Sequence, residues 1–276
     1  MNIAKQKKAV LLALCAAFVV ACLALAGCGG GSNPSSSAAS DAGDAAAAEY
    51  KLIEPGKIIV GSDLDYKPME YRDGDTATGF GVAMTTEIAN RLGLECEFLP
   101  PQNFDTLITQ VASATKMDIA VSSITITDER AQTIDFSDPY YDSNLAVVVA
   151  KDSTIASLDD LGGVVVGVQQ GTSGEDWVKE NAPDAELQPF TGITEVMAAL
   201  RTGKVTAAVY DQPVAENLVA NEFANDAKVL NIIPTGEQYG IAINKENAKL
   251  TEDINKVLAE MQSDGTLDKL KKQYIG

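Results

Sequence analysis

The chain has 276 residues, a formal net charge of −18 and no histidine. So negative a chain is not expected to bind nucleic acid or an anionic membrane surface. The lack of histidine removes Ser-His-Asp and Cys-His nucleophilic machinery, histidine metal sites and the commonest general base. The composition therefore argues against ordinary hydrolase chemistry. We expect no enzyme, no catalytic residue, no metal site and no cofactor, although one kind of enzyme is retained below as an alternative.

The amino-terminal segment carries the features of a secretory signal. Three lysines precede a stretch from 9 to 27 without a charged residue, which ends in Leu-Ala-Gly-Cys28. A charged start, an apolar core and small residues before the break predict a signal peptide over 1–27. A stretch of this length could also span a bilayer as a signal anchor. The Leu-Ala-Gly-Cys ending favours a lipoprotein, in which Cys28 is lipidated and becomes the first residue.

Residues 28–54, from the lipid site onward, are predicted to form a disordered tether. Gly29–Glu49 is rich in Gly, Ser, Ala and Asp and offers little to bury. A flexible chain of this length spans roughly 30 Å. Beyond the tether Cys96 is the single cysteine, which excludes a disulfide framework or a cysteine zinc site within the chain. Cys96 is expected to pack as a small apolar side chain.

After the tether, apolar strand-like runs alternate with helical patterns, which is typical of α/β proteins with parallel sheets flanked by helices. The predicted strands are Ile58–Val60, Glu95–Leu99, Asp118–Val121, Val147–Ala150, Val164–Val168, Ala207–Tyr210 and Ile241–Ile243. The predicted helices are Ala83–Leu92, Phe104–Ala114, Thr194–Arg201, Thr251–Met261 and Thr266–Tyr274.

The first strand leads into a loop that contains Asp63, Asp65 and Tyr66. Strand ends of this kind are where open α/β sheets place ligand-binding residues. The alternative is a turn in which an aspartate caps a neighbouring amide, and this interpretation is preferred for Asp65. Phe104, at the start of a predicted helix, is equally suited to a binding-site wall and to the core.

An arginine lies among small hydroxyl residues just after an apolar strand. Ser122, Ser123 and Thr125 follow the run 117–121, and Arg130 comes in a short helix that Thr127 or Asp128 could cap. The guanidinium is always charged and its planar fork matches a carboxylate. Taken alone, a surface arginine in a turn is the preferred explanation of the pattern.

Two further segments end strands with polar residues. In the run 164–174, a strand and a glycine turn lead into Thr172 and Ser173 at a helix start, whose amides and hydroxyls favour an anion. The turn lacks the lysine and spacing of a phosphate loop. Asp211 ends the strand Ala207–Tyr210 ahead of a helix, and an ordinary N-cap aspartate is the alternative to a binding role.

The sequence from Ser122 to Tyr141, with "TITDER" and "DFSDPYY", resembles extracytoplasmic solute-binding proteins that deliver polar amino acids to ABC importers. The likeness covers residues 57 to 274. It implies an α/β fold of the two-lobed periplasmic-binding-protein-like (type II) kind, in which each lobe is a mostly parallel sheet flanked by helices. Lobe 1 would comprise 55–145 plus 237–276, and lobe 2 would comprise 146–236. Two hinge strands, Leu145–Lys151 and Tyr239–Asn244, would join them.

The resemblance also implies roles in a cleft between the lobes. Arg130, with the hydroxyl residues of both lobes, would hold the ligand's α-carboxylate, and Asp211 would hold its α-ammonium group. Asp63 and the rings of Tyr66 and Phe104 would contact the ligand's side chain, and Gln169 could add a hydrogen bond. The full set of implied ligand-binding residues is Asp63, Tyr66, Phe104, Ser122, Ser123, Thr125, Arg130, Gln169, Thr172, Ser173 and Asp211.

The sequence departs from the family pattern near the helix that follows the first loop. The usual "GFD-D" segment is Gly79-Phe-Gly-Val-Ala83, without its acidic residues, and Met69 replaces a usual aromatic residue. Neither change touches the expected carboxylate grip, but both bear on the rim of the pocket.

The leading hypothesis is a lipid-anchored extracytoplasmic receptor for a free polar amino acid, a monomer that hands its ligand to an ABC permease with its ATPase subunits. A basic amino acid suits Asp63 and Tyr66, and glutamine and cystine remain open. One alternative is an extracytoplasmic enzyme on the same fold, similar to a cyclohexadienyl dehydratase, with Asp63, Asp211 or Tyr66 as acid or base. Another is a sensory ligand-binding module with a partner chain.

Overall fold

The computed structural model describes residues 50–276. The predicted signal peptide, the lipidation site Cys28 and the tether as far as residue 49 lie outside the described residues. Within 50–276, no helix combines the length and the apolar character needed to cross a membrane.

Strands and helices alternate along the described chain, as the sequence predicts. The strands are β1 (Lys57–Gly61), β2 (Asp65–Tyr66), β3 (Glu70–Asp73), β4 (Thr76–Thr78), β5 (Glu95–Phe98), β6 (Ile119–Ala120), β7 (Asp135–Phe136), β8 (Tyr141–Ala150), β9 (Val165–Gln169), β10 (Glu186–Phe190), β11 (Ala207–Asp211), β12 (Ala227–Tyr239) and β13 (Ala242–Ile243). The α-helices are α1 (Phe80–Arg91), α2 (Leu107–Ser113), α3 (Asp128–Thr133), α4 (Ser173–Asn181), α5 (Ile193–Arg201), α6 (Gln212–Ala220), α7 (Ala248–Ser263) and α8 (Thr266–Tyr274).

The strands form two five-stranded sheets, and we call each sheet with its helices a lobe. Lobe 1 has the strand order β5-β1-β6-β13-β7, and lobe 2 has the order β10-β9-β11-β8-β12. A small sheet, β2-β3-β4, belongs to the loop region that follows β1. The apolar runs of β1, β9 and β11 are buried, because helices cover the sheets. This arrangement confirms the predicted two-lobed α/β fold.

Four of the five strands in each sheet run in one direction, as the predicted mostly parallel sheets require. One strand in each sheet, β13 in lobe 1 and β8 in lobe 2, runs the other way and makes the sheet mixed. In lobe 1, β1 pairs parallel with β5 and β6, but β13 pairs antiparallel with β6 and β7. In lobe 2, β9 pairs parallel with β10 and β11, while β8 pairs antiparallel with β11 and β12. The antiparallel strands are those next to the connections between lobes, because a chain that crosses and returns must reverse its direction.

The crossing between lobes lies at Tyr141 and Tyr239 and not at Leu145, where the predicted hinge strand begins. Strands β8 and β12 pair from Tyr141↔Tyr239 to Ala150↔Ala227. Tyr239 is tied to lobe 1 by its bridge to Thr125, whereas Leu145 already pairs within the lobe 2 sheet. Residues 142–144 are polar and do not continue the apolar run of the strand, so the sequence does not predict the first part of β8.

The helix predictions hold closely where the apolar period is strong. Thr266–Tyr274 is α8 as predicted, and Gly265, at φ 79°, separates it from α7. The predicted helix Phe104–Ala114 is instead a 3₁₀ turn, Phe104–Thr106, followed by α2. Cys96 packs against the lobe 1 core, and burial raises the pKa of its thiol to about 11.

Residues 50–54, which the sequence assigns to the tether, pack against lobe 1. The Tyr50 side chain is buried, and its hydroxyl donates a 2.6 Å hydrogen bond to Asp253 on α7. The Ile53 amide donates to the Asp118 carboxylate at 2.8 Å, and the same carboxylate accepts from Ile59 in β1. The folded part therefore begins earlier than predicted, because Tyr50 offers apolar area that the preceding Ala-rich residues lack.

We expect Tyr50→Ala to lower the free energy of unfolding by about 2 to 4 kcal/mol, since a buried aromatic ring and its hydrogen bond are both lost. Tyr50→Phe, which keeps the ring, should cost only about 1 kcal/mol. Urea denaturation followed by tryptophan fluorescence measures both values. Equal stability of Tyr50→Ala and the wild type would show that the packing of Tyr50 against lobe 1 adds nothing to the free energy of unfolding.

Candidate ligand-binding site

A cavity between the two lobes gathers all the residues that the sequence proposes for ligand binding. It is narrow and opens partly to solvent. Elements of both sheets deliver its walls at the carboxyl ends of their strands, where open α/β sheets place ligands. The lining residues are Asp63, Tyr66, Phe104, Ser122, Ser123, Thr125, Arg130, Gln169, Thr172, Ser173 and Asp211.

Arg130 is held in place by backbone groups of both lobes. The Thr127 side chain caps helix α3 and accepts from the Arg130 amide at 3.2 Å. The guanidinium donates to the Thr125 carbonyl at 2.7 Å and, across the cleft, to the Gly171 carbonyl at 2.9 Å. It also lies 5.6 Å from the centroid of the Phe104 ring. Two of its five N–H groups are thus engaged, which leaves others to meet an anion.

Burial lowers the pKa of the Arg130 guanidinium, and the carboxylates of Asp176, Asp211 and Glu237 oppose that effect. An arginine keeps its proton under such a shift because its ordinary pKa lies so high. The cavity therefore contains one fixed positive charge that is half-buried.

Asp63 is buried at the base of the cavity, in the loop after β1. Ser122 donates to one carboxylate oxygen at 2.9 Å, and the Gln169 amide of lobe 2 donates to the other at 2.9 Å. Burial raises the pKa of Asp63 to about 6, although these two hydrogen bonds lower it. At neutral pH this carboxylate is ionised, and the side chains that donate hydrogen bonds to it are neutral.

Asp211 does not cap helix α6, although an N-cap was the alternative from the sequence. It occupies the N-cap position without a side-chain cap bond. Its carboxylate instead accepts a hydrogen bond from the Tyr66 hydroxyl of lobe 1, and the same hydroxyl accepts from the Asp211 amide at 3.2 Å. Burial raises the pKa of the Asp211 carboxyl, against the lowering effect of Tyr66, Tyr239 and Arg130. The side chain therefore faces the cleft.

The glycine turn before α4 makes a close approach to lobe 1. Gly171 adopts φ 77°, and a Cβ built on it would lie 2.9 Å from the Asp105 side chain, so only glycine fits this contact. Thr172 caps α4 by accepting from the Glu175 amide at 3.3 Å. The Glu175 carboxylate in turn accepts from the Gly171 amide at 2.6 Å. The Gly171 amide thus has a protein partner, while the Ser173 hydroxyl faces Thr125 at 3.4 Å.

Glu70 is a buried residue behind the site that the sequence does not single out. Ser123 lines the cavity but donates its hydroxyl to Glu70 at 2.8 Å, and Ser123 adopts the strained φ of 48°. Burial raises the pKa of Glu70 to about 8, so it is mostly protonated at neutral pH. A Cβ on Gly81 would collide with this carboxyl group, which explains why the chain lacks the family's acidic residue there. No sequence period or spacing marks Glu70.

Asp65 links the two lobes and is not a turn cap, contrary to the interpretation from the sequence. Helix α5 has Gly192 at its N-cap and no side-chain cap of its own. The Asp65 carboxylate reaches across the cleft, accepts from the Thr194 amide at 3.0 Å and also accepts from the Thr194 hydroxyl. An acidic group at a helix N-terminus is favourable both as a cap and toward the helix dipole. Asp65 therefore caps a helix of the opposite lobe.

A family model described as bacterial extracellular solute-binding proteins, family 3, matches residues 58–276. The chain belongs to this family. The match includes both sheets and every residue that lines the cavity.

Individual relatives agree with the family. The arginine-binding extracellular protein ArtP of Bacillus subtilis (strain 168) is 37% identical over 224 residues, which cover 79% of this chain and 86% of ArtP. The L-cystine-binding protein TcyJ of Escherichia coli (strain K12) is 33% identical over 234 residues, which cover 82% of this chain and 85% of TcyJ. An ancestral arginine-binding protein bound to arginine has 37% identity and a TM-score of 0.76, with 80% of this chain and 99% of that chain covered. These matches confirm a solute-binding protein and not an enzyme.

We expect Asp65→Ala to weaken closure of the cleft by about 1 kcal/mol, because helix α5 loses its cap only in the closed form. The radius of gyration from small-angle X-ray scattering should increase, and affinity for an amino acid ligand should fall about fivefold. Asp73→Ala removes an exposed aspartate of the neighbouring small sheet and serves as the matched control. If both variants scatter and bind alike, the contact with Thr194 does not stabilise the closed form.

Proposed function

We propose that the protein binds a basic L-amino acid in the interlobe cavity and delivers it to an ABC importer, made of a permease and its ATPase subunits. One observation carries the proposal. A fixed guanidinium, Arg130, and two buried carboxylates, Asp63 and Asp211, line the same cavity. A basic amino acid has the complementary set of charges, namely one carboxylate and two cationic groups.

The carboxylate of the ligand is assigned to Arg130. The free N–H groups of the guanidinium offer a fork that a planar carboxylate matches. The hydroxyls of Thr125 and Ser173 lie at the same place and come from opposite lobes. A carboxylate bound there therefore contacts both lobes at once and favours the closed form.

The α-ammonium group is assigned to Asp211, whose Oδ1 atom is buried and accepts no hydrogen bond from the protein. Leaving such an oxygen without a donor is costly, and an ammonium group supplies three N–H donors. The cationic end of the ligand's side chain is assigned to Asp63, with the Tyr66 ring beside it. At that position a charged donor would replace the neutral amide of Gln169.

The names of the relatives agree with a basic ligand and leave a neutral amino acid as the competitor. Two of the three described above are named for arginine, and the third is named for L-cystine. In this chain the buried carboxylate of Asp63 is the feature that distinguishes the two ligand classes, because a desolvated anion gains most from a cationic partner. Glutamine is the neutral competitor, since its amide can also donate to a carboxylate.

The test is a calorimetric binding screen of the twenty amino acids with cystine and ornithine. We expect arginine or lysine to bind most tightly. Asp63→Asn should reduce binding of these two at least tenfold more than binding of glutamine, because a charged contact loses its partner. Arg130→Ala should weaken every ligand by about 1 to 3 kcal/mol.

Asp73→Asn, which changes an exposed aspartate outside the cavity, should bind arginine as the wild type does. A wild type that prefers glutamine, cystine or an acidic amino acid would overturn the basic-ligand assignment and leave the roles of Arg130 and Asp211 standing. Unchanged affinity in Arg130→Ala would remove that residue from the site.

We further propose that Cys28 carries the lipid that anchors the protein to the outer face of the bacterial cell membrane. Two features support this proposal. The Leu-Ala-Gly-Cys28 sequence closes an uncharged stretch behind three lysines, and the family is extracellular. The residues up to 49 then connect the lipid to the folded part, over a span of roughly 30 Å for a flexible chain.

Cells grown with a radiolabelled fatty acid should incorporate the label into the wild type and not into Cys28→Ser. Cys22→Ser, which changes a cysteine inside the predicted signal peptide, is the matched control and should still be labelled. Labelled Cys28→Ser protein would place the lipid elsewhere and refute the assignment.

A further inference from the structure

Glu237 neighbours Asp211, which lines the cavity, although no sequence motif marks Glu237. It comes near the end of β12, the returning strand between the lobes. The ladder between β8 and β12 is irregular between Ile233 and Glu237. Gly236, at φ 67°, forms part of this irregularity and donates its amide to the Asn144 side chain at 3.3 Å. Such bulges re-aim side chains next to functional sites, and here Glu237 is directed toward Asp211.

Two carboxylate oxygens meet there without a donor. Asp211 Oδ1 and Glu237 Oε2 are both buried, and neither accepts a hydrogen bond from the protein. Asp211 is 5% exposed and lines the cavity. The Glu237 carboxyl group lies within hydrogen-bonding reach of the Ser173 hydroxyl and of the Asp211 carboxylate. Two carboxylate oxygens can hydrogen-bond to each other only when one of them is protonated.

The charged and titratable groups around the pair are Arg130, Tyr66, Tyr140, Tyr239, Asp63 and Glu70. Arg130 favours the ionised form of both carboxyls. Burial and the mutual repulsion of the two carboxylates oppose this effect. The balance raises the pKa of Glu237 to about 7, with burial as the larger cause and Asp211 as the next.

We propose that Asp211 and Glu237 share one proton in the closed cleft and release it to solvent when the ligand's α-ammonium group binds between them. Glu237 is then a second ammonium-binding residue. The inference rests on the proposed binding of an amino acid. The ammonium group places two N–H donors on the two oxygens, so the proton is no longer needed to bridge them. One proton leaves for each ligand that binds, and no other bond forms or breaks.

The direction of the pH effect follows from linkage. Since binding releases a proton, affinity rises with pH until the pair is already ionised, which occurs near pH 7. Below that pH the affinity should fall by up to about tenfold per pH unit. Protonation of Asp63, whose pKa is about 6, should also weaken binding of a basic ligand, but at a lower pH than protonation of the pair. Measurements at pH 7 therefore separate the pair from Asp63.

The experiment is calorimetry with L-arginine at pH 7, in phosphate and in Tris, which differ in ionisation enthalpy. If arginine does not bind, the tightest amino acid of the binding screen replaces it. The wild type should release about half a proton per ligand, because a group is half protonated at its pKa. Glu237→Gln should release less than half as much. Glu186→Gln, an exposed glutamate on β10 of the same sheet, should release as much as the wild type.

A second measurement needs no ligand. The folded protein holds a proton on Glu237 up to about pH 7, whereas the ordinary value is 4.5. The wild type therefore loses stability as the pH rises from 4.5 to 7, and Glu237→Gln does not lose this part. The melting temperature of Glu237→Gln relative to the wild type should rise steadily between pH 5 and pH 8. For Glu186→Gln the difference should stay constant.

Equal proton release by the wild type and Glu237→Gln would overturn the inference and leave amino acid binding intact. A melting-temperature difference that does not change with pH would overturn it as well. If no amino acid binds the wild type, the proposed function fails together with the ammonium role of Glu237. The stability comparison then still decides whether the two carboxyls share a proton.

Discussion

A charge that is buried between two lobes must have a partner, and this requirement governs the whole cleft. Closing the lobes removes Arg130, Asp63 and Asp211 from water, which costs several kcal/mol for each group that remains unpaired. In the structure each of these groups has a neutral hydrogen-bond partner on the opposite lobe. Arg130 donates to the Gly171 carbonyl, Asp63 accepts from the Gln169 amide, and Asp211 accepts from the Tyr66 hydroxyl. Neutral partners of this kind hold the closed form together but solvate a charge less well than an ion does. A ligand with complementary charges can therefore replace them and make closure more favourable.

The fold brings these charged residues together because strand ends from both sheets meet at the cleft. Each lobe contains a buried sheet, one apolar cluster continues from lobe 1 into lobe 2, and the lobes are joined by the paired strands β8 and β12. Strands β8 and β12 are hydrogen-bonded to each other along most of their length, so the two connections between the lobes lie side by side. The lobes can therefore rotate only about this pair of strands, which we call the seam. The aromatic rings of Tyr140, Tyr141 and Tyr239 pack at this seam. Rigid lobes with one flexible seam are typical of hinge closure.

The local patterns of strand ends and helix starts predicted an α/β protein, and the family resemblance supplied the two lobes and the candidate residues that line one cavity. Sequence reasoning failed where the signal is tertiary. The extension of β8 to Tyr141 passes through a polar run, and no local period reports the strand that runs the other way in each sheet. Asp65 caps a helix more than one hundred residues away, and Glu70 and Glu237 acquire their properties from burial.

The cap that Asp65 provides to helix α5 ties a local event to a global one. When the lobes separate, the first turn of α5 loses its side-chain acceptor, because Gly192 at the N-cap cannot replace it. The Thr194 amide is then exposed to solvent exchange only during the time that the cleft is open. Its hydrogen-exchange rate thus reports the population of open molecules directly, at one backbone position, without any label or ligand. Because helix α5 is capped by the opposite lobe, exchange at this one amide measures the equilibrium between open and closed molecules.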